Sequence, residues 1–79
     1  MNKNNLPNLL KATLAELGGR GTILQVCKKF WAKNEESLRN SGDLFYTWQY
    51  DIRWAATKLR KAGIMKDVSS SDPGVWELK

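Results

Sequence analysis

The chain is 79 residues long, with 13 Lys and Arg against 8 Asp and Glu, a formal charge of +5 and no histidine. With Cys27 as the one cysteine, it offers no internal disulfide, no Cys/His zinc site, no histidine general base and no Ser-His-Asp or Cys-His nucleophile. A chain this short buries only roughly 60–65% of its unfolded surface, so its four Trp, two Tyr and two Phe read as the bulk of a compact core.

The basic excess favours polyanionic partners, nucleic acid before an anionic membrane. No apolar run approaches the ~20 residues of a membrane span, and the opening MNKNNLPN lacks the apolar core of a signal peptide. The expectation is a reduced, cytoplasmic protein with no membrane association, built as one domain over residues 6–79 behind a flexible N-terminus, residues 1–5.

In chain order, Leu6, Leu9, Leu10, Leu14 and Leu17 form a helical stripe. Pro7 suits a first turn and Gly18-Gly19 a C-terminal stop, so a first helix is expected over about 6–17. Thr22 to Gln25 has the spacing of a capping box. Behind it, Ile23, Val26, Cys27, Phe30 and Trp31 make the apolar face of a second helix, with Lys28, Lys29 and Lys33 opposite. Cys27 lies within that apolar face and reads as an inert packing residue. Residues 34–43, NEESLRNSGD, are polar and rich in turn formers, and read as a loop with at most a short helical turn. Asp43 or Thr47 can cap a third helix over about 44–62, ended by Gly63. Ile64–Val68 then reads as a strand, 69–74 as a turn-rich connection and Val75–Lys79 as an alternating strand, the two forming a β-hairpin. The fold class this predicts is α+β: a winged helix-turn-helix, three helices followed by a C-terminal β-hairpin wing.

At about 100° per residue, Trp48, Ile52, Ala55, Ala56 and Leu59 share the core stripe of the third helix. Tyr50, Arg53, Thr57 and Lys61 fall on the far side, with Lys58 and Trp54 a little beyond. Arg53 can pair with guanine O6 and N7 or with phosphate, Tyr50 and Thr57 can reach phosphate or a thymine methyl, and Lys58 and Lys61 suit phosphates. A solvated polar face accounts for the same residues equally well until the winged-helix order is added. Trp54 belongs to neither face: it can wedge against nucleic acid, though a large aromatic off the stripe more often packs against a loop or hairpin. In the wing, Lys66, Ser69 and Ser70 can contact phosphate, while Asp67 and Asp72 beside them oppose it. Arg20, Lys28, Lys29 and Lys33 can steer or grip the backbone. The acids are scattered over loops and helices with no spacing that suggests a shared metal or an acid/base couple, so neither catalysis nor a cofactor or metal is expected.

The run Trp54-Ala55-Ala56-Thr57-Lys58-Leu59-Arg60-Lys61-Ala62-Gly63-Ile64 resembles the end of the third helix in the N-terminal domains of Mrr-type restriction endonucleases. That pattern has Trp-Ala, a Leu, two basic residues and Ala-Gly-Leu. Gly74-Val75-Trp76-Glu77-Leu78 is similar to the strand after that family's wing, and Leu6-Pro7 with Leu9-Leu10 to its first helix. The resemblance implies a domain of a restriction system that recognises double-stranded DNA for a C-terminal effector, which in the family is a nuclease. These residues carry no nuclease motif, so cleavage does not come with it. Pro73 stands where the family pattern has a basic residue, which removes a cation from the wing. The other expectation is a winged helix that binds a protein partner or dimerises instead of binding DNA.

Overall fold

The computed structural model describes residues 1–79. Helix α1 (Leu6–Glu16) is followed by strand β1 (Arg20–Thr22), helix α2 (Ile23–Arg39), helix α3 (Leu44–Lys61) and strand β2 (Val75–Glu77), with 3-10 turns at Lys3–Asn5 and Val68–Ser70. The architecture is α+β: three helices against a two-stranded antiparallel sheet.

Local chemistry sets most boundaries. Pro7 sits in the first turn of α1, where its missing N–H removes a donor that has no helical partner anyway. Gly18 and Gly19 end the helix with φ of 81° and 96°, and the Gly19 amide reaches back to the Leu14 carbonyl at 2.8 Å. A residue with a Cβ is strained in that left-handed region. The capping box of α2 is present in full: the Thr22 hydroxyl accepts from the Gln25 amide at 3.1 Å, and the Gln25 side chain accepts from the Thr22 amide at 2.9 Å. Asp43 occupies the N-cap position of α3 without a side-chain hydrogen bond. Thr47 caps nothing either: its hydroxyl donates to Asp51 at 2.7 Å.

Two expectations are corrected. Residues 34–39 are not a loop; α2 continues through them. Leu38 is fully buried and extends the apolar stripe from Val26 and Phe30, so the polar residues around it are the solvent face of a helix. Asn34 donates to the Phe30 carbonyl at 2.9 Å and Arg39 to Glu35 at 2.9 Å, both across one helical turn.

The second correction concerns the sheet. The expected hairpin between 64–68 and 75–79 shrinks to one bridge, Met65 with Leu78. The strand partner of β2 is β1, with Arg20 opposite Glu77, Gly21 opposite Trp76 and Thr22 opposite Val75. The stretch from Gly19 to Thr22 is extended because the glycine stop of α1 and the extended N-cap of α2 lie only a few residues apart, and its backbone groups need partners. β2 supplies them: the Leu78 amide donates to Gly19 at 2.8 Å and the Ile23 amide to Gly74 at 3.0 Å. On the other side, Lys66 donates to the Glu77 carbonyl at 2.9 Å and Lys79 to Ile64 at 3.0 Å. β2 therefore lies between β1 and the 64–66 segment. Gly21 fits where little else does, since a Cβ there would come within 3.3 Å of Leu17 Cδ1 and Val26 Cγ2.

The core gathers Leu6, Leu10 and Leu14 from α1, Val26, Phe30 and Leu38 from α2, and Trp48, Ile52, Ala55, Ala56 and Leu59 from α3, closed by Met65 and Trp76. α1 packs against α3, whose core face is kept small by Ala55 and Ala56. A ladder of aromatic rings runs outward from this core. Phe30 stacks on Trp48 at 5.6 Å, Trp48 on Trp31 at 5.9 Å, and Trp31 meets Phe45 at 6.3 Å. The Arg39 guanidinium covers the outer rings at 5.3 and 5.9 Å.

Between α1 and α2, Lys33 pairs with Glu16. The Lys33 ammonium, by its hydrogen bond above all and with help from the charge of Lys29, holds the Glu16 carboxyl below the usual carboxylate range. A lowered folded value means the pair stabilises the fold above the ordinary glutamate value and stops doing so as pH falls through the lowered one. Glu16→Gln is therefore expected to lower the thermal midpoint slightly at neutral pH. The difference from the native protein should begin to shrink below about pH 4.3 and vanish only once pH has fallen through the lowered value, which thermal melts at several pH values will show.

Candidate nucleic-acid interface

The outer face of α3 carries Tyr46, Tyr50, Arg53, Thr57 and Lys61 in one stripe of three- and four-residue steps. The two tyrosines are 82% and 78% exposed, and Arg53, Thr57, Lys58 and Lys61 are exposed as well. The stripe exists because the opposite face is consumed by the core.

Ion pairing separates the cations of this protein into two groups. Lys3 pairs with Asp51, Arg20 with Asp72, Lys33 with Glu16, Arg39 with Glu35 and Lys66 with Glu77. Five of the 13 basic residues are thus matched to acids, leaving eight. Four of those eight, Arg53, Lys58, Arg60 and Lys61, lie on α3, whose one acid, Asp51, is held by Thr47 and Lys3. Individually such surface pairs contribute little stability. Collectively they cancel positive field elsewhere and leave it standing on the C-terminal half of α3.

The remaining candidates divide on the same basis. Lys28 is exposed and unpaired, beside Gln49 of α3 along a shallow groove between the two helices. Lys29 is half-buried and its charge bears on Glu16; Lys33 is spent on the same carboxylate. Arg20 meets Asp72 at 3.2 Å and Lys66 meets Glu77 at 3.2 Å, so neither is a free cation. Ser69 and Ser70 are exposed on a 3-10 turn next to Asp67. Over residues 64–79, two Lys against two Asp and one Glu give 2 − 3 = −1, and the segment is electrostatically the poorer side for a polyanion.

Trp54 is half-buried and packs against the edge of the core, with Lys3 at 4.5 Å over its ring and Lys58 at 5.5 Å. The N-terminal residues make this possible: Asn2 caps the Lys3–Asn5 turn, and Lys3 reaches both Asp51 at 3.9 Å and the indole. Nothing in the local sequence signalled this, because the contact joins residues 51 positions apart.

Cys27 is half-buried between α2 and α3; burial pushes its thiol above the ordinary value, against an opposing pull from Arg53. No three Cys, Asp or Glu side chains come together as a metal-binding group, and no helix is long and apolar enough to cross a membrane.

The residue the sequence reading passed over is Arg60. It is half-buried, lies seven positions after Arg53, and faces the same cleft between α3 and the loop before β2. The spacing of 53, 57 and 60 was the available signal; Arg60 was masked by its neighbours Lys58 and Lys61. Compared with protein-family models, with curated proteins and with solved structures, the chain finds no match in any of the three.

Proposed function

We propose that this chain is a non-catalytic, double-stranded DNA-binding domain of the winged helix-turn-helix class, with α3 lying in the major groove. One observation carries the reading: four of the eight unpaired cations lie on α3, beside Tyr50 and Thr57, whereas Arg20 and Lys66 at the sheet and Lys33 and Arg39 on α2 are matched to acids. Tyr50 and Arg53 stand where they can meet bases or backbone; Lys58 and Lys61, with Lys28, supply sequence-independent attraction to phosphates. The sheet contributes little cationic contact, in keeping with Pro73 at its turn. The resemblance of the Trp54–Ile64 run to Mrr-type N-terminal domains supports a role in a restriction system, acting in the cytoplasm for an attached C-terminal effector.

A second reading, a protein-binding or dimerising winged helix, draws on the exposure of Tyr46, Tyr50 and Leu24, the last 64% exposed. Aromatic residues of this kind also anchor protein interfaces. A chemical-shift titration with a short DNA duplex at two salt concentrations separates the two. DNA binding gives saturable shifts along 46–61 and at Lys28 that weaken as salt rises. Shifts of Tyr46 and Tyr50 that follow protein concentration, with none on adding duplex, mean the DNA reading is wrong.

A further inference from the structure

A cleft of about 280 Å³ opens between the C-terminal half of α3 and the loop leading into β2. One wall is polar: Arg53, Thr57 and Arg60. The rest of the lining comes from Ile23 and the 68–76 segment, among it Asp72, Gly74, Val75 and Trp76. Two side-chain polar atoms in the protein are buried without a hydrogen-bond partner, Arg60 Nε and Ser71 Oγ. Of the two, Arg60 lines the cleft. A buried guanidinium N–H without an acceptor is a costly arrangement that calls for an explanation.

We propose that the cleft is a phosphate-binding site, in which the guanidinium groups of Arg53 and Arg60 converge on one phosphate held against the loop at Gly74. The inference rests on the DNA reading for the source of that phosphate, a phosphodiester of the duplex, but not for the site itself. Arg53 and Arg60 start about 10.5 Å apart along the helix axis, and both line the cleft from its α3 wall. Two planar forks on one wall offer more donors than the two oxygens of a carboxylate can accept, and a phosphate supplies the further acceptor oxygens. The Thr57 hydroxyl between them donates to the Arg53 carbonyl at 3.2 Å, a long bond that a rotation of the side chain exchanges for a phosphate oxygen. Asp72 is the one acid on the lining, and Arg20 holds its carboxylate at 3.2 Å, which lessens its repulsion of an anion. The site gives Arg53 a backbone contact, not a base contact, and adds Arg60 to the binding residues.

The native protein, labelled with 15N, is titrated with inorganic phosphate at constant ionic strength while the Arg60 Nε–H and the Thr57 and Gly74 amides are followed. Saturable shifts at these three that chloride does not produce are expected; their absence overturns the site, whether or not duplex DNA binds elsewhere on α3. Addition of duplex should then displace the phosphate. If phosphate saturates the cleft and duplex neither binds nor competes, the site stands for a free phosphate-bearing ligand and the DNA reading falls. Arg60→Gln should abolish the phosphate shifts at Thr57 and Gly74 with an unchanged circular dichroism spectrum, and Arg60→Lys should keep part of them. Arg53→Gln, at an exposed position, serves the same purpose if Arg60→Gln does not fold. Phosphate shifts that persist undiminished in a folded Gln variant at either position also overturn the proposal.

Discussion

Trp48→Ala is expected to cost about 3–5 kcal/mol of folding stability. A chain of 79 residues has a total of only about 4–12 kcal/mol available, so the variant should be largely unfolded or close to it. The size of the effect follows from position. Trp48 is 6% exposed and stacked against two rings, Phe30 at 5.6 Å and Trp31 at 5.9 Å. Removing the indole takes away its own burial, deprives both rings of their stacking partner, and leaves a cavity that two helices cannot close without shifting. Urea unfolding of the variant and of Tyr46→Ala gives the comparison. Tyr46 meets Phe45 edge-on at 5.0 Å at the end of the same ladder but is 82% exposed, and its truncation should fall within about 0.5 kcal/mol of native stability. A loss below about 1 kcal/mol for Trp48→Ala, against the central tendency for buried aromatics, would show that the α2–α3 packing is not the support assigned to it.

The second large effect concerns binding. Replacing Lys58 and Lys61 together by Gln should reduce the slope of log K against log salt by about 1.8, since each phosphate neutralised contributes about 0.9. At physiological salt that corresponds to roughly 30-fold weaker binding, the same for every duplex sequence. Both side chains are exposed and in no ion pair, so their loss removes charge without leaving a buried partner. Lys11→Gln, at an exposed position of α1, changes net charge by half as much but lies on another helix, and should leave the slope nearly unchanged. Fluorescence anisotropy with one labelled duplex across a salt series measures all three proteins. Equal slopes for the double variant and the native protein would remove α3 from the interface.

Helices α1, α2 and α3 are legible in the sequence wherever a short-range signal is strong. Pro7 with the Gly18-Gly19 stop, the Thr22–Gln25 capping box and Gly63 after Lys61 act over one turn of backbone, and each is found in place. The partition of α3 into a core stripe and an outer stripe is likewise a property of helical spacing alone. Residues 34–39 were misread because their polarity reflects which side faces water, and a single buried residue, Leu38, decides the case. Polarity without the partner surface does not distinguish a solvated helix face from a loop.

The pairing of strands lay beyond the sequence for a different reason. A three-residue strand has little pattern of its own, and β1 is defined only by the backbone groups that β2 offers it from 53 to 57 residues away, Arg20 against Glu77 and Thr22 against Val75. The same holds for the charges. Sequence by itself fixed the net charge, the absence of histidine and the helical faces, because these depend on composition or on neighbours within a turn. Only the tertiary structure decided which cations remain unpaired. Arg20, Lys33 and Lys66 meet their acids through space, and Trp54 finds Lys3 from the far end of the chain. Arg60 comes to share a cleft with Gly74 and Asp72 only because the segment leading into β2 lies alongside the C-terminal half of α3. Contacts of that range follow from how the core closes, and no local propensity encodes them.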